Sequence, residues 1–210
     1  MEEGINLAHK EGVKVYVTVN IFPHNEDLGE LPDYLINLKE LEVDAIIVSH
    51  THPDHFSLDQ IKKLSPKKLY TCSECKEALS GEILSFEVIE IKDGSQIVDG
   101  DIIVDVFDVD HGPNVSKPIK DNFGFLLKAD NQKIYFAGEM FYESGIDVAD
   151  LEVDYAFFPV GSFYTFGPQE AFAFAKKFKK ISKAISMHER GVSEKKTEFI
   201  KLAEGSFLVE

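Results

Sequence analysis

The sequence predicts an α/β fold, and three observations carry that prediction. Short β-branched runs such as residues 44–49 (DAIIVS) and 183–187 read as buried strands. Stretches with apolar side chains three or four positions apart, residues 168–179 above all, read as amphipathic helices. The two kinds alternate along 210 residues with no internal repeat, low-complexity tract or linker, so a single domain over residues 1–210 is expected.

Residues 13–19 (VKVYVTV) alternate well enough for a strand, and residues 21–31, with Pro23, His24, Asn25 and Gly29, read as a long loop. Residues 32–40 show helical spacing and lead into the strand at 44–49. After a His-rich turn, Ser57 can cap a helix through Leu64, with Gln60 reaching back from the third helical position. Strands are expected at 68–71, 86–91, 96–98 and 101–108, separated by hairpin-like signals at Asp93–Gly94 and Asp99–Gly100. Two more follow at 123–128 and 133–137, joined through Asp130 and Asn131, and another at 154–159. Pro168 suits the first turn of the helix 168–179, whose apolar stripe is Ala171, Phe174, Ala175 and Phe178. The strand 183–187, a helix over 193–203 opened by Ser193, and a short strand at 207–209 complete the chain.

Composition narrows the function. With 22 basic and 37 acidic residues the net charge is −15, which repels phosphate backbones, so nucleic acid is not an expected partner. No apolar run approaches the roughly 18 residues of a membrane span, and residues 1–20 open with two Glu and carry Lys10 and Lys14 rather than a secretory signal. A cytoplasmic protein with no membrane partner is the expectation, and 17 Phe leave material for a homo-oligomeric interface. The two cysteines, Cys72 and Cys75, form one C-x-x-C; a structural zinc needs four ligands and a second pair is missing, so they receive no role.

Residues 50–55 read HTHPDH, three imidazoles and a carboxylate in a turn directly after a predicted strand. Imidazole and carboxylate are the ligands of borderline divalent ions, and four in one turn can furnish much of two adjacent coordination spheres. Other predicted strands also deliver donors at their ends: 101–108 leads to His111, 133–137 to Glu139 after Gly138, and 183–187 to His188. A single His after a strand is more often a satisfied polar residue than a ligand. Three such ends in addition to HTHPDH shift the balance to a metal site.

HTHPDH matches the H-x-H-x-D-H signature of the metallo-β-lactamase fold superfamily, and His111, Glu139 and His188 occur in the order of its later metal motifs. The resemblance spans residues 13–188. Within it, PVGSFYTFGPQEAFAFAKKF followed by AISMHER looks like the lactonase-like branch that includes ascorbate-6-phosphate lactonase and relatives of the phospholipase D acting on N-acyl phosphatidylethanolamine. The resemblance implies a four-layer αβ/βα sandwich with a dinuclear site. His50, His52 and His111 would hold one metal, and Asp54, His55 and His188 the other, with Glu139 standing where the family usually has a bridging Asp.

Two divalent ions, zinc first with manganese or iron as alternatives, would acidify a shared water and aim the resulting hydroxide at a carbonyl or phosphoryl centre. Asp54 or Glu139 would orient it and carry its proton. Substrate contacts are expected from Tyr164, Thr165, Lys117 and Arg190, and partners that fix the His tautomers from Ser49, Thr51 and Asp110. The expected function is therefore a metal-dependent hydrolase of a small ester, lactone or phosphoester. A nuclease or phosphodiesterase of the same fold is the alternative, as is a non-catalytic metal-binding module in which Glu139 has disabled the second site.

Overall fold

A computed structural model describes residues 16–18, 43–113, 118–188 and 193–209. The expected loop at 21–31 and helix at 32–40 lie outside these residues, as do Lys117 and Arg190. The described residues fall into two compact units: residues 16–18 and 43–91 with 119–121, and residues 92–113 and 118 with 122–188 and 193–209.

The first unit contains a four-stranded parallel sheet in the order β1 (Tyr16–Thr18), β2 (Ala45–Val48), β3 (Lys68–Thr71), β4 (Glu87–Glu90). All four side chains of β2 are buried, which is why its sequence is continuously apolar rather than alternating. Helix α1 (Leu58–Leu64) turns Ile61 and Leu64 into this core. Ser57 is its N-cap residue, but its hydroxyl makes no capping bond; the helix starts on the backbone alone, from Ile61 N to Ser57 O at 3.0 Å, so the capping box expected with Gln60 is not formed. Helix α2 (Ser73–Ala78) begins at the C-x-x-C: Cys72 is the N-cap residue, and its sulfur accepts from Cys75 N at 3.4 Å. Asp121 closes the same helix start by accepting from Ser73 N at 3.2 Å and Ser73 Oγ at 2.6 Å.

The second unit carries a seven-stranded mixed sheet. Its order is β11 (Leu208–Val209), β10 (Lys180–Met187), β9 (Glu152–Pro159), β8 (Gln132–Phe136), β7 (Phe123–Ala129), β6 (Ile102–Asp108), β5 (Gln96–Asp99). β5 to β8 form an antiparallel meander, while β8, β9, β10 and β11 pair in parallel. The expected hairpin at Asp99–Gly100 is present between β5 and β6. The one at Asp93–Gly94 is not, because β4 and β5 belong to different sheets. Asp130 and Asn131, at φ +50° and +61°, make the tight turn between β7 and β8.

Helix α3 (Pro168–Ala175) starts with Glu170 accepting from Gly167 N at 3.1 Å and stops four residues short of its expected end. Lys177 N and Phe178 N fold back on Phe174 O and Ala175 O, and Lys180 is recruited into β10 opposite Glu152. Parallel strand pairing therefore overrides the helical periodicity of residues 176–179. Helix α4 (Ser193–Ala203) follows β10 and buries Phe199. The core of this unit is aromatic: Tyr135 stacks on Phe107 at 5.4 Å and meets Phe178 edge-on at 5.0 Å, with Phe158, Phe174 and Phe199 around them. Burial pushes the Tyr135 phenol well above its ordinary pKa, and its hydroxyl has no hydrogen-bond partner among the described residues. The architecture is α/β. No helix among the described residues is long and apolar enough to cross a membrane.

Candidate metal centre

In the first unit the chain leaves β2 through Ser49 and bends at once, with His55 N and Phe56 N both donating to His52 O at 2.8 Å. That turn gathers the three imidazoles. His50, fully buried, sets its ring 4.7 Å from that of His52 and 4.2 Å from that of His55. Ser49 Oγ lies 2.9 Å from His50 Nδ1, and His50 Nε2 lies 3.1 Å from His52 Nδ1. Two nitrogens on one tetrahedral ion at about 2.0–2.1 Å stand roughly 3.3 Å apart, so this pair has the spacing of two ligands to one ion. Asp54 Oδ2 is 3.7 Å from His55 Nε2, and its carboxylate, at 27% exposure, remains open to solvent while His55 is buried.

The second unit brings His111, Glu139 and His188 together. Glu139 Oε2 lies 2.5 Å from His111 Nε2, while its other oxygen, Oε1, contacts His188 Nε2. All three side chains are at most 7% exposed. One carboxylate thus presents one oxygen to each of two imidazoles, so the extra methylene relative to Asp does not prevent Glu139 from addressing both. The backbone makes this reach possible. Gly138 has φ +64°, and a Cβ there would stand 2.6 Å from Phe123 O, so only glycine lets the chain turn Glu139 inward at the end of β8. Buried Asn122 ties the same strand ends, donating to Val109 O and Glu139 O at 3.2 Å.

His188 adopts φ +60°, and Gly161 packs directly against it: a Cβ on Gly161 would be 2.8 Å from both His188 Nδ1 and His188 O. The register of β9 and β10, with Met187 opposite Pro159 and Val160 N donating to Met187 O, sets that contact. His188 Nδ1 is buried without a hydrogen-bond partner among the described residues.

The auxiliary residues divide. Ser49 does contact a ring nitrogen of His50, whereas Thr51 Oγ1 has no partner among the described residues. Asp110 does not reach an imidazole through any described bond; it shapes the His111 turn by accepting from Gly112 N at 2.6 Å. Thr165 is buried and donates to Phe166 O at 3.3 Å, a packing role rather than an exposed substrate contact. Tyr164 is half-buried with its ring 4.6 Å from Phe163. Asn122 carries no signal in the sequence, and Gly161 figures there only as part of the segment 159–178; an isolated Asn before a strand and a Gly after one have no assignable contact until the neighbouring backbone is known. At the C-x-x-C, the hydrogen bond between the two thiols lowers the pKa of Cys72 and raises that of Cys75.

Comparison with known proteins agrees with this donor chemistry. The family model described as the beta-lactamase superfamily domain matches residues 11–188. A metal-dependent hydrolase of Thermococcus kodakarensis is 29% identical over 165 residues, covering 75% of this chain and 71% of its own. Among solved structures, a metal-dependent hydrolase from Parabacteroides distasonis superposes with TM-score 0.69 at 19% identity, covering 84% of this chain and 79% of its own. The isothiocyanate hydrolase from Delia radicum gut bacteria superposes with TM-score 0.60 at 20% identity, covering 80% and 74%. At such identities the structures attest to a shared fold.

Proposed function

Since the chain belongs to the beta-lactamase superfamily, with the metallo-β-lactamase fold, we propose that it is a metal-dependent hydrolase of a small ester, lactone or phosphoester. In this reading, which rests on the motif resemblance, His50, His52 and His111 would hold one divalent ion and Asp54, His55 and His188 another, with Glu139 in the place of the family's usual Asp. Zinc is the first choice, and manganese or iron suit the same donors. The lactonase-like branch is the part of the superfamily whose motif the segment from Pro159 to Phe178 resembles.

The observation that carries the proposal is the buried Glu139 carboxylate divided between two imidazoles. Imidazole and carboxylate with no thiolate is a donor set that fits borderline divalent ions. When bound, such ions supply Lewis acidity and bring the pKa of a coordinated water from ~16 toward neutrality. The chain's own residues then divide the remaining work. Ser49 holds the His50 ring by Nδ1, which leaves Nε2 directed toward His52. Glu139 is engaged on both oxygens and buried, so it is suited to holding. Asp54 is partly exposed, so it can orient a water and exchange a proton with solvent, as a general base must.

Metal analysis of the purified protein, followed by a screen of esters, lactones and phosphoesters, tests this reading. Two ions per chain with turnover of at least one class is expected. Full metal loading without turnover of any class overturns the hydrolase, and a stoichiometry of one overturns the dinuclear site.

A further inference from the structure

The two imidazoles that share Glu139 each lie beside a loop that carries an edge-on aromatic pair, one ring half-buried and the other exposed. On the His111 side, a Cβ on Gly112 would overlap the Phe141 ring, so the turn carrying His111 rests on that ring. Tyr142 stands edge-on to Phe141 at 4.8 Å and is 54% exposed. On the His188 side, Gly161 lies against the imidazole, and two residues on, Phe163 is 61% exposed and edge-on to Tyr164 at 4.6 Å. A backbone bond from Phe166 N to Met140 O, 2.7 Å, ties the loop bearing one pair to the loop bearing the other.

Exposed large aromatics carry a hydration cost, and a cluster of them beside polar donors marks a surface used for binding. Among the described residues, the lysines beside these loops are already engaged. Lys177 Nζ is 2.6 Å from both oxygens of Glu143, Lys195 Nζ is committed to Gly161 O, and the protein as a whole carries −15.

We propose that Tyr142 and Phe163, with their partners Phe141 and Tyr164, form an apolar rim that takes the acyl or aryl part of an uncharged ester or lactone. This rests on the hydrolase reading and narrows it, placing a neutral, apolar substrate ahead of a phosphoester. An acyl chain laid on such a rim gains affinity with each buried methylene.

The test uses the metal-loaded full chain with p-nitrophenyl acetate, p-nitrophenyl hexanoate and p-nitrophenyl phosphate. The hexanoate is expected to be preferred over the acetate by about tenfold in kcat/KM, mostly through KM, with the phosphate the poorest of the three. Phe163→Ala and Tyr142→Ala should each cut the hexanoate-to-acetate ratio by about threefold or more. Val98→Ala, which removes an exposed apolar side chain on β5, should leave the ratio unchanged. Circular dichroism confirms that each variant is folded. Turnover of the acetate without a gain for the hexanoate, or a preference for the phosphate, overturns the rim while leaving the hydrolase standing. Turnover of none of the three, with no activity on any other ester, lactone or phosphoester, overturns both.

Discussion

The turn after β2 and the strand ends of the seven-stranded sheet supply the same kinds of donor by opposite means. His50, His52, Asp54 and His55 lie within six positions, and one turn closed by two bonds to His52 O brings the three rings together. His111, Glu139 and His188 come from distant parts of the chain and meet only because the pairings of β6 through β10 hold them in register. A local cluster survives as long as its turn survives. An assembled one depends on strand register and on close backbone contacts, so it should be more easily broken by changes that remove no donor at all.

Glu139 is where that difference has its largest consequence. Glu139→Gln keeps the shape but removes the charge shared by His111 and His188, and activity should fall by on the order of 100-fold or more, since outer partners of metal ligands alone cost about 10–100-fold. Metal content per chain should fall with it. Glu139→Asp keeps the charge but shortens the reach, so one of the two contacts must lengthen and the loss should be intermediate. If Glu139→Gln retains both ions and full turnover, this assembled set is not a metal site.

Gly161→Ala and Ser49→Ala sharpen the contrast, because neither residue is a proposed ligand. The added methyl at 161 has no room between His188 Nδ1 and His188 O, both 2.8 Å away, so the imidazole or its strand end must move. A loss of one ion per chain and a drop in activity toward 100-fold are expected. Ser49→Ala removes only one bond to a ring that its own turn still positions, and the metal affinity should fall by about tenfold with the stoichiometry kept. Titration of metal into the two apoproteins compares them directly, and a milder effect at Gly161 than at Ser49 would contradict the distinction between local and assembled donors.

The same distinction explains what could be read from the sequence. HTHPDH, the buried run before it and the strand ends at His111, Glu139 and His188 were legible because periodicity and residue type report local structure. Boundaries decided by tertiary pairing were not. The helical spacing of residues 176–179 gave way once Lys180 paired with Glu152, and Asp93–Gly94 has hairpin chemistry yet joins two sheets. Gly161 and Asn122 act through contacts with residues 27 and 17 positions away, His188 and Glu139, which no local pattern encodes. The reach of Glu139 to both imidazoles follows from the left-handed turn at Gly138, and the side-chain formula alone could not supply it.

The smallest effect is expected away from either donor set, on the β5–β6–β7 face. Although partial burial opposes ionisation of Asp105, the bonds from Gln96 Nε2 at 2.7 Å and Lys128 Nζ at 2.5 Å hold its carboxyl below the usual carboxylate range. A depressed folded-state pKa contributes stability that is present above the unfolded value, about 3.9, and is lost as pH falls through the folded one. Lys128→Met should therefore lower stability at neutral pH by less than about 1 kcal/mol, as expected for a largely solvated pair. The deficit should shrink as the solution is acidified and Asp105 takes up its proton. Urea unfolding at several pH values measures this, and metal stoichiometry should stay unchanged throughout. A change in stoichiometry would mean that the register of β6 and β7, and with it the position of His111, is set in part by this surface pair.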